Sequence, residues 1–407
     1  MANQTKIPAY ILPIIVFAQF GGASLWFAGN AIIADLQQAL HLSADATGDI
    51  TAAVQFGFII GTLLFAFLSI ADRFSPSKVF LIAAVLGAVF NLSVYFFATD
   101  LWSLLIFRFA TGFFLAGIYP VGMKIAADWY AKKLGKALGY LVGALVLGTA
   151  FPHLLKVVGQ SLPWEMVLWI TSSMAISGGL LLYYLVPDGP NRKKGAQFEW
   201  NAISKIFAFP EFRAAAFGYF GHMWELYTFW AFVPFLITTY NDFNQTDLPV
   251  ALLSFGVIAI GTFGCIIGGY ISLKKGSRKV AFDMLLISGL CCLFSPFLFS
   301  VSPILFILVL LIWGFTVVGD SPQFSTIVAK TAPSLYIGTA LTIVNCLGFA
   351  LTIVSIQVVA YLIKIIPVTN IFLVLLIGPL MGLWSFRKRK IVTDTPLILD
   401  MGTKNQG

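Results

Sequence analysis

The sequence predicts an all-α integral membrane protein whose twelve transmembrane helices form two pseudo-symmetric six-helix bundles. Three observations predict it. Of 407 residues, 59% are hydrophobic and only 10% are charged, against about a quarter charged in a soluble domain, too little polar surface to wrap a soluble chain of this length. Apolar runs of roughly 18–25 residues, long enough for a bilayer core of about 30 Å, recur from Ile7 to Phe386. Finally, GFFLAGIYP at 112–120 returns as GFTVVGDSP at 314–322, with Gly-Phe, a second Gly and a Pro all at one offset (314 − 112 = 202; 322 − 120 = 202).

The segments follow in order. The first, 8–35, contains FAQFG at 17–21; it is too long for a signal peptide and has no small-residue cleavage site after a short apolar core. Segment 50–71 carries Gly57 and Gly61 at a spacing that lets helices approach closely, and 79–98 follows. Segment 102–126 holds the first copy of the repeat. Segment 138–158 is preceded by Gly135 and carries Gly139, Gly143 and Pro152, and 165–186 completes the first six. The longest internal hydrophilic stretch, PDGPNRKKGAQFEWNAISK at 187–205, divides the chain. Segment 214–240 opens the second six with FGYFG at 217–221, offset 200 from FAQFG. Then come 250–272 with Gly264 and Gly268, 280–299, and 303–328 with the second copy. Segment 336–362 begins with IGTAL at 337–341, offset 203 from LGKAL at 134–138, and 369–386 is the twelfth. Every segment is long, which favours helices over the short alternating strands of a barrel. Three pairs in register predict duplicated halves about an axis along the membrane normal: bundles at 1–190 and 211–407, the second with a short cytoplasmic tail, joined by a cytoplasmic linker at 191–210.

Charge sets the orientation. With a cytoplasmic N-terminus, 21 of the 25 Lys and Arg fall on the cytoplasmic side, while the opposite loops carry Asp45, Asp49, Asp100, Asp242 and Asp247. That is a positive-inside pattern with both termini cytoplasmic. It accounts for most of the +8 formal charge without nucleic acid as a partner; the bilayer and a small-molecule substrate are the partners expected, and the chain is expected to be a monomer. Cys265, Cys291, Cys292 and Cys346 all lie in apolar runs and read as buried hydrophobes. His and Cys are too sparse for a metal site, and no cofactor is expected.

The loop LSIADRFSPSK at 68–78 keeps Asp72, Arg73 and Lys78 of a G-x-L-a-D-R-x-G-R-K pattern, with Leu68 and Ser75 at its glycines. GYISLKKGSRK at 269–279 keeps Gly269 and Gly276 but has Leu273 at the Asp. RFATG supplies Arg108 and Gly112, and GYLVGALVLG at 139–148 matches part of an antiporter motif, with Ala144 at its Pro. On these residues, over nearly its whole length, the chain resembles the major facilitator superfamily. AGIYPVGMKIAADWY and FGHMWELYTFW resemble a bacterial branch grouped loosely with nitrate and cyanate porters, although the nitrate porters' paired intramembrane arginines and glycine-rich fifth-helix signature are missing. The resemblance implies a bacterial inner-membrane protein. It also implies a conformational latch on the cytoplasmic face from Asp72, Arg73, Asp128, Gly276 and Arg278.

Charges inside a membrane are costly unless paired or wetted. His222 lies about 14 Å along its helix from Arg213, and Glu225 about 18 Å. Both are near the midplane, on one face at i, i+3, with Glu225 expected to accept from His222. They read as a substrate or proton site, or as a pair holding helices together. Asp320 stands where the first copy has Ile118, beside a Gly-x-x-Pro break of a kind tolerated only toward protein or a wet cavity. It reads as a functional acid, or as an inner-gate partner of Lys124. Arg108 fits an anionic substrate or a brace within the first bundle. His153 is deep in the fifth segment, while Lys156 reads as reaching the outer headgroups. Asn30, Gln55, Gln323 and Asn345 line the path or bond helices together.

The combined expectation is a secondary active transporter moving a small solute by proton-coupled alternating access, a permease of the symport type. Arg108 and His153 favour an anionic solute, and Glu225, Asp320 and His222 are the proton candidates, Glu225 first. No G-x-x-x-x-G-K-[ST] occurs, so ATP is not the expected fuel and a proton gradient is. The rival directions are proton-driven drug or metabolite efflux. A membrane-embedded enzyme lacks any G-x-S-x-G or H-E-x-x-H, and a transporter-like sensor lacks room for a signalling domain after Lys390.

Overall fold

The structure, a computed structural model, describes residues 7–43, 46–130, 134–158, 163–192, 202–333 and 336–387, without the side chains of Asp72, Leu134, Lys136, Ala202 and Arg387. The Asp72 carboxylate, and with it that residue's expected latch role, lies outside the described residues. So do Lys132, Lys133, Lys193 and Lys194.

Twelve membrane segments follow one another. We label them α1 (Ile11–Ala23, continued by Ala28–Ala31 and Ile33–Ala39), α2 (Ala46–Phe67), α3 (Pro76–Phe97) and α4 (Leu101–Leu115 and Tyr119–Trp129). Next are α5 (Leu134–Val158), α6 (Glu165–Leu185), α7 (Pro210–Asn244) and α8 (Val250–Ala259 and Gly261–Lys275). The last are α9 (Ser277–Phe294), α10 (Pro303–Gly319 and Ser321–Thr331), α11 (Ile337–Leu362) and α12, a 3-10 stretch Val368–Leu376 running into Ile377–Arg387. Among the described residues ten are long and apolar enough to cross a membrane; Ile11–Ala23 is a shorter apolar helix, and α7 is diluted by Arg213, His222 and Glu225. Trp102, Leu273 and Ile304 lie exposed on the outside, as lipid-facing side chains do.

Local chemistry sets the ends. Asp100 caps α4, its carboxylate accepting from the Ser103 N–H at 2.8 Å while the Ser103 hydroxyl accepts from the Asp100 N–H at 3.1 Å. The Ser103 backbone N–H holds the Asp100 carboxyl below its usual range. α7 is four residues longer at each end than the apolar run 214–240. Pro210 occupies its first turn, and it stops only where Gln245 turns left-handed at φ 53°. Gly276 joins α8 to α9 at φ +80°, a conformation glycine supplies without strain. The 3-10 start of α12 departs from the expected continuous α-helix; the Trp224 indole takes the Val374 carbonyl there at 3.1 Å.

The halves repeat their contacts. A Cβ on Gly112 would stand 2.0 Å from the Val54 carbonyl oxygen, and one on Gly314 would stand 1.9 Å from that of Val257. A Cβ on Gly61 would stand 2.3 Å from the Phe113 oxygen, as one on Gly264 would stand 2.1 Å from that of Phe315. Thus α2 lies on α4 as α8 lies on α10, backbone on backbone. Gly314→Ala is expected to destabilise the folded protein by about 1–3 kcal/mol through overpacking. Thermal unfolding in detergent checks it, and an unchanged transition would mean these helices are loosely apposed.

Between the halves, Trp26 stacks on Tyr227 (centroids 5.6 Å) and Phe349 (5.5 Å), and Phe58 meets Phe349 edge-on at 4.6 Å. Toward the face opposite the basic loops, Gln357 of α11 donates to Asp49 of α2 at 3.1 Å. Near mid-depth the Thr262 hydroxyl of α8 donates to the Gly143 carbonyl of α5 at 3.1 Å.

Candidate functional site

The break in α10 places Asp320 at the joint between Gly319 and Ser321, where its own carbonyl starts the next helix by accepting from the Gln323 and Phe324 N–H groups at 2.9 Å each. Its carboxylate Oδ1 stands 2.8 Å from His222 Nδ1, and both side chains are fully buried. The two groups are close enough to form an ion pair when the imidazole is protonated, but neither imidazole nitrogen nor either carboxylate oxygen has a well-directed hydrogen bond. The imidazole lies between the rings of Tyr219 and Phe324, with centroids 5.8 and 5.7 Å away. The ion-pair partner found for Asp320 is therefore His222, not the expected Lys124.

The expected His222–Glu225 bond is also replaced. Glu225 Oε1 accepts from the Trp313 indole at 2.6 Å and the Cys292 thiol at 3.3 Å, and Oε2 accepts from the Ser288 hydroxyl at 2.9 Å. The reason is angular. Three residues turn a helix by about 300°, so the side chains diverge enough to meet different neighbours. Tyr219, Met223, Leu226, Tyr227 and Trp230 line a central cavity, and Glu225 lies roughly 140° round α7 from the middle of that face, His222 roughly 80°. Glu225 thus points into its own half, among neutral donors of α9 and α10. Glu225→Gln is expected to cost about 1 kcal/mol of stability, since the amide still accepts from Trp313, and to keep the response of uptake to a pH gradient. Loss of that response in proteoliposomes would return the proton to Glu225.

Arg108 is wholly buried inside the first half. The interruption of α1 after Ala23 leaves carbonyls outside a regular helix, and Arg108 Nη2 donates to those of Leu25 (3.1 Å) and Trp26 (2.6 Å), while Nη1 donates to Asn91 Oδ1 (3.0 Å). Asn91 in turn donates to Thr171 and Ser172 of α6 at 3.2 and 3.0 Å. A lone Asn in the middle of the run 79–98 was the available signal for it.

Lys156, expected among headgroups, pairs with Asp35 at 2.8 Å. His153 is buried with Nε2 unpartnered. Asn30 donates to Thr51 at 2.6 Å, Asn345 accepts from the Tyr219 hydroxyl at 2.7 Å, and Gln323 is buried in α10.

Among the latch candidates, Arg73 is exposed. The Asp128 carbonyl accepts from the backbone and side chain of Asn191 at 3.0 Å each. Arg278 donates to the Phe386 carbonyl at 2.5 Å, clamping the start of α9 on the end of α12. These contacts join elements of the same half. The 68–78 loop is tied by residues the motif did not mark: Ser75 donates to Asp188 at 2.8 Å, and Arg192, paired with Asp188, donates to the Phe74 carbonyl at 2.8 Å.

The central cavity holds about 20 Å³ of room for water centres, enough for roughly one water molecule. Its polar groups come from Tyr119, Tyr219, Tyr227, Trp230 and Ser321, and the rest of its wall is apolar. Residues of both halves line it, and Val318 and Ser321 flank Asp320.

Comparison with known proteins agrees with this architecture. The sequence profile of the Major Facilitator Superfamily matches residues 14–356. The chain is 24% identical over 273 residues to a galacturonate transporter of Dickeya chrysanthemi, covering 60% of this chain and 76% of that protein. It is 33% identical over 141 residues to a Haemophilus influenzae protein named for metabolite transport, a third of each chain. It is 21% identical over 284 residues to an uncharacterized transporter of Schizosaccharomyces pombe, 62% of this chain and 55% of the relative.

Proposed function

The chain belongs to the Major Facilitator Superfamily of membrane transporters, and from that premise we propose that it takes up a small carboxylate-bearing solute together with a proton, by alternating access about the central path. The His222–Asp320 contact carries the reading. With His222 cationic and Asp320 ionised, the pair is neutral and closed to an anion. When Asp320 takes a proton, His222 is left without its counter-charge, in surroundings where an unpaired cation is costly. A solute carboxylate restores the balance. One proton and one carboxylate then travel as a neutral set, and the empty carrier returns neutral. The galacturonate named for one relative is a solute of this charge. The basic loops support cytoplasmic termini in a bacterial inner membrane, so proton-driven movement would run inward, with one chain as the working unit. Separation of Trp26 from Tyr227 and Phe349 would open the path, and the 68–78 loop would act as the latch.

The test is uptake of labelled galacturonate by proteoliposomes. An inside-alkaline pH gradient is expected to drive accumulation, and a membrane potential set by potassium and valinomycin at equal pH is not. Accumulation driven by potential alone would remove the neutral exchange.

A further inference from the structure

Building on that carrier reading, we infer that the path selects a polyhydroxylated ring acid of monosaccharide size, and that Trp26 and Trp230 are specificity-determining donors for its hydroxyl groups. The Nε1 atoms of both indoles are buried without a hydrogen-bond acceptor, although Trp26 is only 1% exposed and Trp230 0%. Buried donors left unpaired are uncommon in native proteins, and these two lie together: Trp26 stacks on Tyr227, whose ring meets that of Trp230 at 5.4 Å. Trp230 lines the central cavity, and every other polar group lining it is a hydroxyl: Tyr119, Tyr219, Tyr227 and Ser321.

The lining therefore offers uncharged hydrogen-bonding groups and aromatic faces. The His222–Asp320 contact beside it provides for one carboxylate. A solute matching all of this has one acidic group, several hydroxyls and an apolar C–H face to lie against a ring. A short acid without hydroxyls, or a hydrocarbon acid, would leave the indole donors unpaired, and sites of this kind reject such analogues. Trp26 belongs to the first half and Trp230 to the second. Parting the Trp26–Tyr227 and Trp26–Phe349 stacks would free both indoles toward the same space.

Calorimetry on the purified full-length chain in detergent tests this with three probes: D-glucuronate, cyclohexanecarboxylate and pyruvate. Glucuronate is expected to bind at least about tenfold more tightly than either acid lacking its hydroxyls, the scale of one or more hydrogen bonds. Trp26→Phe and Trp230→Phe keep a ring and remove the N–H. Each is expected to weaken glucuronate roughly tenfold and to leave cyclohexanecarboxylate within about twofold. The inference is overturned if glucuronate does not bind, if either hydroxyl-free acid binds as well, or if the Phe variants weaken both ring acids alike. Should a variant fail to fold, the three-probe comparison on the unmodified chain decides. Counterflow in proteoliposomes separates the two readings. Pyruvate counterflow without glucuronate counterflow keeps the carrier and removes the hydroxyl site. Glucuronate binding without any counterflow does the reverse.

Discussion

Asp320→Asn is expected to yield a carrier that still exchanges solute across the bilayer but whose net uptake ignores a pH gradient. Asn has the shape of the protonated acid and cannot ionise, so the variant is held in the arrangement in which His222 lacks its counter-charge. Solute binding should persist. Within the proposal His222 stays cationic, so the unloaded carrier would have to return with an uncompensated buried cation, which is slow. A penalty of about 3 kcal/mol on that return alone slows net uptake roughly a hundredfold, while exchange, which never uses the empty carrier, stays measurable. His222→Gln is the complement: it removes the cation, and exchange and net uptake should fall together. An Asp320→Asn protein that still concentrates solute when driven by protons would end the proposal.

The reason residue order alone ranks Asp320 behind Glu225 is geometric. The long apolar runs and the constant offset between Gly112 and Gly314 are local or periodic features, so twelve segments and two related halves were legible in the residue order. The backbone approaches that those glycines permit, on Val54 and Val257, follow from their lack of a side chain. Partner choice is different. His222 and Asp320 are 98 positions apart (320 − 222 = 98), and whether His222 meets Asp320 or Glu225 depends on how α7 is rotated against α9 and α10. Nothing near position 222 encodes that rotation. Spacing put His222 and Glu225 on the same side of one helix, but the roughly 60° between them is enough for one to meet Asp320 of α10 and the other Trp313 of α10 with Ser288 and Cys292 of α9. Lys156 illustrates the same limit: its partner Asp35 comes from the far end of α1.

Arg108→Met is expected to impair folding far more than it alters any solute contact. Sequence considerations left Arg108 between an anion site and a brace, and its three acceptors all belong to the protein: two carbonyls where α1 is interrupted, and Asn91. Met fills much of the same volume, so the change leaves little cavity, but those acceptors are stranded. Each unsatisfied buried group costs about 1–3 kcal/mol, so three stranded acceptors forfeit a large part of a typical folding free energy of about 5–15 kcal/mol; at the average measured between membrane helices, about 0.6 kcal/mol each, the loss is about 2 kcal/mol. Removing the buried charge offsets some of this, which is why Arg108→Lys is the informative companion. Lys keeps the charge and gives up the planar fork that reaches two carbonyls and an amide together. If the brace reading is right, Lys should unfold at a lower temperature than the native chain and Met lower still. Solute affinity per folded molecule should change little in either. The opposite pattern, normal unfolding of the Met protein with solute binding lost, would place Arg108 in contact with the transported anion. The loosened element would be the Leu25–Trp26 corner, so the same experiment reports on whether Trp26 is held in position from behind by a guanidinium that never meets the solute.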